Sequence, residues 1–349
     1  MSQFDFAQSV LSWYQRHGRK DLPWQQPRSA YRVWISEIML QQTQVTTVIP
    51  YFERFMQSFP RLETLARASE DEVLHHWSGL GYYARARNLH KAAKQIQQEH
   101  GGVFPEDFEA LLALPGIGRS TAGAILAQAL GQKYAILDGN VKRVLARFHG
   151  IEGWPGLNSV QQQLWQQAEV HTPEQQLAEY TQGMMDLGAT LCRRSKPACT
   201  ECPLVTECVA WREGRVAELP ASKPKKVKPV RAARMLVLID PAQQVLLEKR
   251  PPTGIWGGLW SLPELELESD VAEWCEQQFR FKVGAIEDGE TFRHSFSHYH
   301  LDITPCRVLV KNPEQSVMEE ERIVWYNTSQ PDQRGLAAPV KNILEAILL

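Results

Sequence analysis

The sequence has no uninterrupted apolar stretch long enough to cross a bilayer, no low-complexity tract and no internal repeat. These absences exclude a helical membrane protein, a solenoid and a disordered scaffold. Strong charge is missing too: 38 basic against 40 acidic residues leave a net charge of −2. Such a chain has no global field to draw in a polyanion, so any nucleic acid must be held by local patches. Dividing it after Lys225 gives only +2 for the first part and −4 for the rest. Cysteine is scarce, six in 349 residues. No secretory segment precedes Phe4–Arg16, whose apolar positions are broken by charges, so a reducing cytoplasm is expected and disulfides are disfavoured. The 43% of hydrophobic residues suffices for the cores of a soluble two-domain protein.

Periodicity divides the chain. Helical spacing dominates the first part, in Phe4–Arg16, Tyr31–Val45, Arg85–Gln98, Phe108–Leu114 and Leu177–Leu191, with glycine turns between them. Shorter alternating runs follow, Arg234–Ile239, Val245–Lys249, Leu301–Val310 and Ile323–Tyr326, which read as strands, and Val340–Leu348 reads as a closing helix. Between the parts, Lys223-Pro224-Lys225-Lys226-Val227-Lys228-Pro229-Val230-Arg231 has prolines and no apolar period. It is an extended linker, either a solvated tether or a strap for phosphates.

Three features carry chemistry. Leu114-Pro115-Gly116-Ile117-Gly118-Arg119-Ser120 opens a helix over Arg119–Leu130. Gly116 and Gly118 there are expected to take positive φ and admit a close partner, while the free N–H groups of the helix start favour an anion such as a DNA phosphate; an ordinary turn between helices is the plainer alternative. Asp138 heads a second helix, Gly139–His149, where a carboxylate is either an N-cap or a reacting group. Cys192, Cys199, Cys202 and Cys208 form a C-x6-C-x2-C-x5-C array within seventeen residues. A disulfide pair, a four-cysteine zinc site and an iron–sulfur site all fit such an array, whereas Cys275 and Cys306 lie apart and read as buried thiols.

Together these features resemble the helix-hairpin-helix DNA glycosylases that carry an iron–sulfur cluster, and the uneven cysteine spacing is similar to the cluster loop of endonuclease III and the adenine glycosylases. The resemblance implies a [4Fe-4S] cluster on the four cysteines. Trp34-Ile35-Ser36-Glu37-Ile38-Met39-Leu40-Gln41-Gln42-Thr43 looks like the family's catalytic helix, taken here as Ser29–Val45. It makes Glu37 the acid that protonates N7 of a flipped adenine, with apolar neighbours Val33, Trp34 and Leu40 to raise its pKa. Without that context a lone helical glutamate reads as a solvated surface residue. Asp138 would face the oxocarbenium-like charge of the sugar, and Asn140 resembles a residue that positions sugar or water. Ser120 stands where strand-cleaving relatives have lysine, so hydrolysis without efficient strand scission is expected. Lys142, nearby, reads as a solvated lysine. Gln42 and Tyr82, the latter on the turn Gly79-Leu80-Gly81, match residues that wedge into the duplex beside the orphan base; a core tyrosine is the alternative for Tyr82.

In the last third, Val245–Pro252 and Gly254–Pro263 resemble the opening of a Nudix fold. Glu264–Phe279 then lacks the Arg-Glu-x-x-Glu-Glu core that holds catalytic magnesium. A recognition module without hydrolysis is implied, as in the A/G-specific adenine DNA glycosylases, where Phe296-Ser297-His298 matches the loop that senses 8-oxoguanine. The alternatives for this histidine-bearing stretch are a polar-faced strand and, less favoured, a metal site.

The expected organisation is thus multi-domain. An all-α helix-hairpin-helix glycosylase domain spans 1–222 with the cluster loop at 192–208, the basic linker spans 223–231, and an α+β Nudix-like domain spans 232–349. The expected activity is hydrolysis of the N-glycosidic bond of adenine opposite 8-oxoguanine or guanine in double-stranded DNA, by a monomer with no membrane partner. The catalytic residues are Glu37, Asp138 and Asn140. The DNA contacts are Gln42, Tyr82, Gly116, Gly118, Ser120, Phe296, Ser297 and His298. The runners-up are another base-excision glycosylase of the superfamily and a non-catalytic iron–sulfur redox sensor on DNA; Glu37 paired with Asp138 argues against the sensor.

Overall fold

A computed structural model describes residues 4–224, 227–313 and 322–347; Lys225 and Lys226 of the linker and Leu348 of the closing helix lie outside them. The described helices of the first part are α1 (Phe6–His17), α2 (Ala30–Leu40), α3 (Val45–Ser58), α4 (Leu62–Arg67), α5 (Glu70–Trp77), α6 (Ala84–Glu99), α7 (Phe108–Leu112), α8 (Arg119–Leu130), α9 (Gly139–His149), α10 (Asn158–His171), α11 (Leu177–Thr190) and α12 (Val209–Arg212). The strands are β1 (Val230–Ile239), β2 (Val245–Lys249), β3 (Trp260–Ser261), β4 (Glu264–Leu265), β5 (Val283–Asp288), β6 (Phe292–Ser295), β7 (His300–Val310) and β8 (Ile323–Tyr326), with α13 (Val271–Phe279) and α14 (Ala338–Ile347). No helix among the described residues is long and apolar enough to cross a membrane.

Two compact units result, one of Met1–Arg67 with Asn88–Lys225, the other of Ala68–Arg87 with Lys226–Leu349. In the first, local signals set the helix ends. Asp5 accepts a hydrogen bond from the Gln8 amide at the start of α1, Ser29 from Arg32 at the start of α2, and Asp138 from Asn140 and Val141 at the start of α9. Gly131 and Gly150 end α8 and α9 in the left-handed conformation. The helix expected over Ser29–Val45 is shorter than its apolar pattern suggested: it ends at Leu40, Gln42 turns to φ 59°, and a new helix starts at Val45. The apolar run continues through the turn because both helices bury it, α2 with Val33, Trp34, Ile35, Ile38 and Met39, α3 with Val48, Phe52 and Phe55.

The second unit is a mixed sheet ordered β3-β2-β1-β7-β5. Its spine is the parallel pair β1 and β7, in register from Val230↔His300 to Ile239↔Leu309, and β5 and β6 join β7 antiparallel. Leu236, Leu238, Leu246, Cys275, Phe279, Phe281, Cys306 and Val308 form a buried cluster, so Cys275 and Cys306 are core thiols. The strands β5 and β6 and the helix α13 were not read from the sequence: β5 is exposed along most of its length, and β6 carries few apolar residues. Segment Ala68–Arg87 packs within this unit, where Asp71 accepts from Lys249 at 3.0 Å and from the Trp260 indole at 3.3 Å.

Candidate active site

A cavity of about 820 Å³ in the first unit is lined by Glu37, Gln42, Ser120, Asp138 and Asn140, together with Arg19, Lys142, Arg143 and Gln182. Five residues selected from sequence thus share one cavity. Glu37 comes from α2 and is half-buried at the cavity wall; burial pushes its pKa up to about 8, the charge of Asp138 adds to the rise, and a hydrogen bond from Gln128 opposes it. Gln128 Nε2 donates to Glu37 Oε1 at 3.3 Å across the α2–α8 packing.

Asp138 is both a helix cap and a cavity residue, so its two readings coincide. Its Oδ1 accepts from the backbone N–H of Asn140 (3.1 Å) and Val141 (2.8 Å), and its Oδ2 from Asn140 Nδ2 (3.1 Å). Burial raises its pKa, while these bonds and the Arg143 charge pull the other way. With three donors on Asp138 and one, from Gln128, on Glu37, the proton of this coupled pair belongs on Glu37 and the charge on Asp138. Lys142, on the same helix, has its pKa lowered by burial.

Several participants carried no sequence signal. Arg143 donates through Nη2 to Asn140 Oδ1 (2.9 Å) and the Gly188 carbonyl (2.7 Å), and through Nε to the Cys192 carbonyl (2.6 Å). Gly188 is required there, since a Cβ would stand 2.5 Å from that of Asn140. Gln182 is 3% exposed. Its Nε2 donates to Asp186 Oδ1, a carboxylate also held by Arg19, and its Oε1 has no partner among the described residues. A buried acceptor without a partner is costly, and Gln182, a residue of the cavity wall, carries one. No spacing rule selects a glutamine on a buried helix face, which is why Gln182 and Gln128 escaped the sequence.

The glycine hairpin differs in part from expectation. Gly116 has φ 81° as expected, but Gly118 is the N-cap of α8 at φ −101°, ψ 173°, which any residue adopts, and a Cβ there would meet nothing within 4 Å. No side chain caps α8, so its first N–H groups keep no side-chain acceptor. Ser120 Oγ accepts from the Leu137 N–H at 2.9 Å, which ties the start of α8 to the residue before Asp138.

Gln42 and Tyr82 are both exposed and both left-handed, at φ 59° and 51°, a conformation that side chains other than glycine and asparagine adopt at a cost. Tyr82 is 48% exposed, with the Arg85 guanidinium 5.3 Å from its ring centre; Tyr83 is the buried tyrosine of this turn. Tyr82 belongs to the second unit. There, Phe296, Ser297 and His298 form the tip of the β6–β7 hairpin, closed by the Phe296 N–H on the Tyr299 carbonyl at 2.9 Å. Phe296 stacks on Tyr299 (4.7 Å between ring centres) and packs on Trp256 (5.2 Å) and His294 (4.7 Å), while Ser297 and His298 are exposed. Lys228 of the linker donates to the Phe296 carbonyl at 2.7 Å.

Cys192, Cys199, Cys202 and Cys208 are free thiols. Burial raises Cys199, Cys202 and Cys208, Cys202 to about 12, and each feels the charges of other members of the set. Arg147, 3% exposed, donates to Cys192 Sγ at 3.4 Å and to the Leu219 and Arg193 carbonyls at 2.8 Å. Among the described residues no three His, Cys, Asp or Glu side chains are placed to hold a metal ion; the four thiols nonetheless lie within electrostatic reach of one another beside a buried cation, a donor set whose chemistry suits a metal–thiolate centre.

Comparison with known proteins bears on this geometry. A family model for HhH-GPD superfamily base excision DNA repair proteins matches residues 35–169, and one for the NUDIX domain matches 234–346. The chain is 41% identical to the adenine DNA glycosylase of Buchnera aphidicola subsp. Acyrthosiphon pisum, over 99% of this chain and 98% of that protein. The chain belongs to the adenine DNA glycosylase family. Among solved structures, a thermostable thymine-DNA glycosylase aligns with a TM-score of 0.54 at 29% identity, over 60% of this chain and 95% of that one. A non-covalent endonuclease III–DNA complex aligns with a TM-score of 0.51 at 22% identity, over 60% and 94%, and shares the fold. The family model's match begins two residues before Glu37 and runs past Asp138, so the cavity's two carboxyl groups lie inside the shared domain.

Proposed function

We propose that this chain hydrolyses the N-glycosidic bond of adenine opposite 8-oxoguanine or guanine in duplex DNA, with little strand cleavage because position 120 carries serine and not lysine. The observation that carries the reading is one cavity in which a carboxyl with raised pKa, Glu37, lies within electrostatic reach of a hydrogen-bonded carboxylate, Asp138. Glu37 donates its proton to N7 of the flipped adenine, and the C1′–N9 bond breaks with its electron pair going to the base. Asp138 stabilises the positive charge left on the sugar, and water adds at C1′, returning a proton to the site. Asn140 holds Asp138 on one side and Arg143 on the other. The unpaired Oε1 of Gln182 suits the exocyclic amine of adenine; guanine presents a carbonyl at that position and would leave two acceptors facing each other. The amides opening α8 and the basic residues lining the cavity suit DNA phosphates.

Cys192, Cys199, Cys202 and Cys208 would hold a [4Fe-4S] cluster. When bound it supplies a cross-link that rigidifies the loop, and the proton chemistry needs no electron from it. Purified anaerobically, the protein should contain four irons and four sulfides and absorb broadly in the visible; stoichiometric zinc without sulfide would refute the assignment.

Incubation with duplexes containing 8-oxoguanine:A, G:A, T:G or thymine glycol, followed by alkali, tests the substrate reading. Cleavage is expected only of the first two, and only after alkali. Preferred release of thymine or of the oxidised pyrimidine would overturn it. Ser120→Lys should bring strand scission and borohydride trapping, since it puts an amine at the position where strand-cleaving relatives have lysine; efficient trapping in the native protein would show that Lys142, already at the cavity wall, acts as the nucleophile.

A further inference from the structure

We propose that Gln128 is a positioning residue for the acid Glu37: its amide N–H occupies Oε1, so that Oε2 alone carries the transferable proton. The inference deepens the reading of Glu37 as the general acid and rests on it. Gln128 lies on α8, 4% exposed, and is not among the residues lining the cavity. It reaches Glu37 from within the α2–α8 packing and touches no substrate. A protonated carboxyl has one carbonyl oxygen and one hydroxyl oxygen, and an N–H donor pairs with the carbonyl oxygen. The Gln128 Nε2 bond to Oε1 at 3.3 Å therefore selects which oxygen bears hydrogen.

The same bond stabilises the ionised form left after proton transfer, and it restrains a pKa that burial and Asp138 drive upward. Charged groups that share the cavity with Glu37 are Arg19, Lys142, Arg143, Arg193, Arg194 and Asp138; of these, Asp138 is the one that shifts Glu37. On the packed helices, Arg119 of α8 is ion-paired with Glu169, and Glu53 and Arg54 of α3 are exposed. Gln128 is thus the neutral group available to oppose burial at Glu37.

The test is single-turnover excision from 8-oxoguanine:A between pH 5 and 9.5 by Gln128→Leu, which keeps the volume and removes the donor. Activity should fall as pH rises through the Glu37 pKa. The variant should move that limb up by about one unit and lower the plateau roughly three- to tenfold, with duplex affinity and melting behaviour near native. Gln128→Asn, polar but shorter by one methylene, should lie between the two, and serves alone if the leucine variant does not fold. A limb and plateau unchanged from the native protein would overturn the proposal. Equal losses in affinity and rate would also overturn it, since they mark a structural role. Glu37→Gln, run in parallel, reports on the acid itself: full activity there would overturn the acid assignment, and this proposal with it.

Discussion

The cavity of the helical unit half-buries Glu37 and Asp138 so that burial raises the pKa of both, whereas the tip of the β6–β7 hairpin in the second unit leaves Ser297 and His298 in water. At the cavity wall the Glu37 pKa is pushed up to about 8, while on the hairpin Arg293 is exposed and pairs at 2.7 Å with Asp302, whose pKa that partner lowers. Low dielectric makes a carboxyl into an acid that is protonated at neutral pH and makes a neighbouring anion felt strongly. A surface that reads a base edge needs the reverse, polar groups in water that exchange hydrogen bonds at little cost on contact, with an aromatic cluster beneath to hold them. The proposed chemistry and the proposed reading of the opposite base therefore fall to differently solvated regions of one chain, and substitutions in the two regions should fail differently.

The sharpest contrast comes from the carboxyl groups. Glu37→Gln and Asp138→Asn should each reduce single-turnover excision by about a thousandfold or more while duplex affinity stays within a few-fold of native, because each keeps shape and removes a proton or a charge. Near-native rates in either variant would break the comparison at its half-buried end.

At the exposed end, alanine at Phe296, Ser297 and His298 together should slow 8-oxoguanine:A roughly tenfold more than G:A, a loss in the range of one base-edge contact pattern. If both duplexes lost the same factor, the hairpin would be structural and discrimination would reside at Gln42 and Tyr82. Cys199→Ser should weaken duplex binding several-fold and lower iron content, with the rate on bound substrate changing less, because the cysteine loop brings the basic Arg193 and Arg194 to the cavity and meets the Asp138–Asn140 pair through Arg143. A larger loss in rate than in affinity would couple that loop directly to the chemistry.

The smallest effect is thermodynamic. Glu37 is held above its ordinary 4.5, to about 8, so the folded state binds a proton that the unfolded chain releases, and stability falls as pH rises through that window. Glu37→Gln should therefore raise the melting temperature by a few degrees at pH 8.5 and leave it near native at pH 4.5. An increase independent of pH would mean that packing, not the proton, was responsible.

The linear sequence determined much of this protein on its own. Helix starts and stops at Asp138, Gly131 and Gly150 are local backbone chemistry, so α8 and α9 were legible to the residue. The wedge, hairpin and cysteine motifs, together with the missing Nudix carboxylates, are fixed spacings that need no third dimension to be recognised. Tertiary structure decided what depends on burial and long-range approach. Glu37 alone on a helix reads as a surface residue; packing of α2 against α8 half-buried it, raised its pKa and brought Gln128 to it, 91 positions along the chain. The partnerless oxygen of Gln182, the bridge from Asn140 through Arg143 to Cys192, and the packing of Ala68–Arg87 with the sheet unit share that origin. A pKa or an orphan acceptor is a property of what surrounds a group, and those surroundings are assembled from distant segments only when the chain folds.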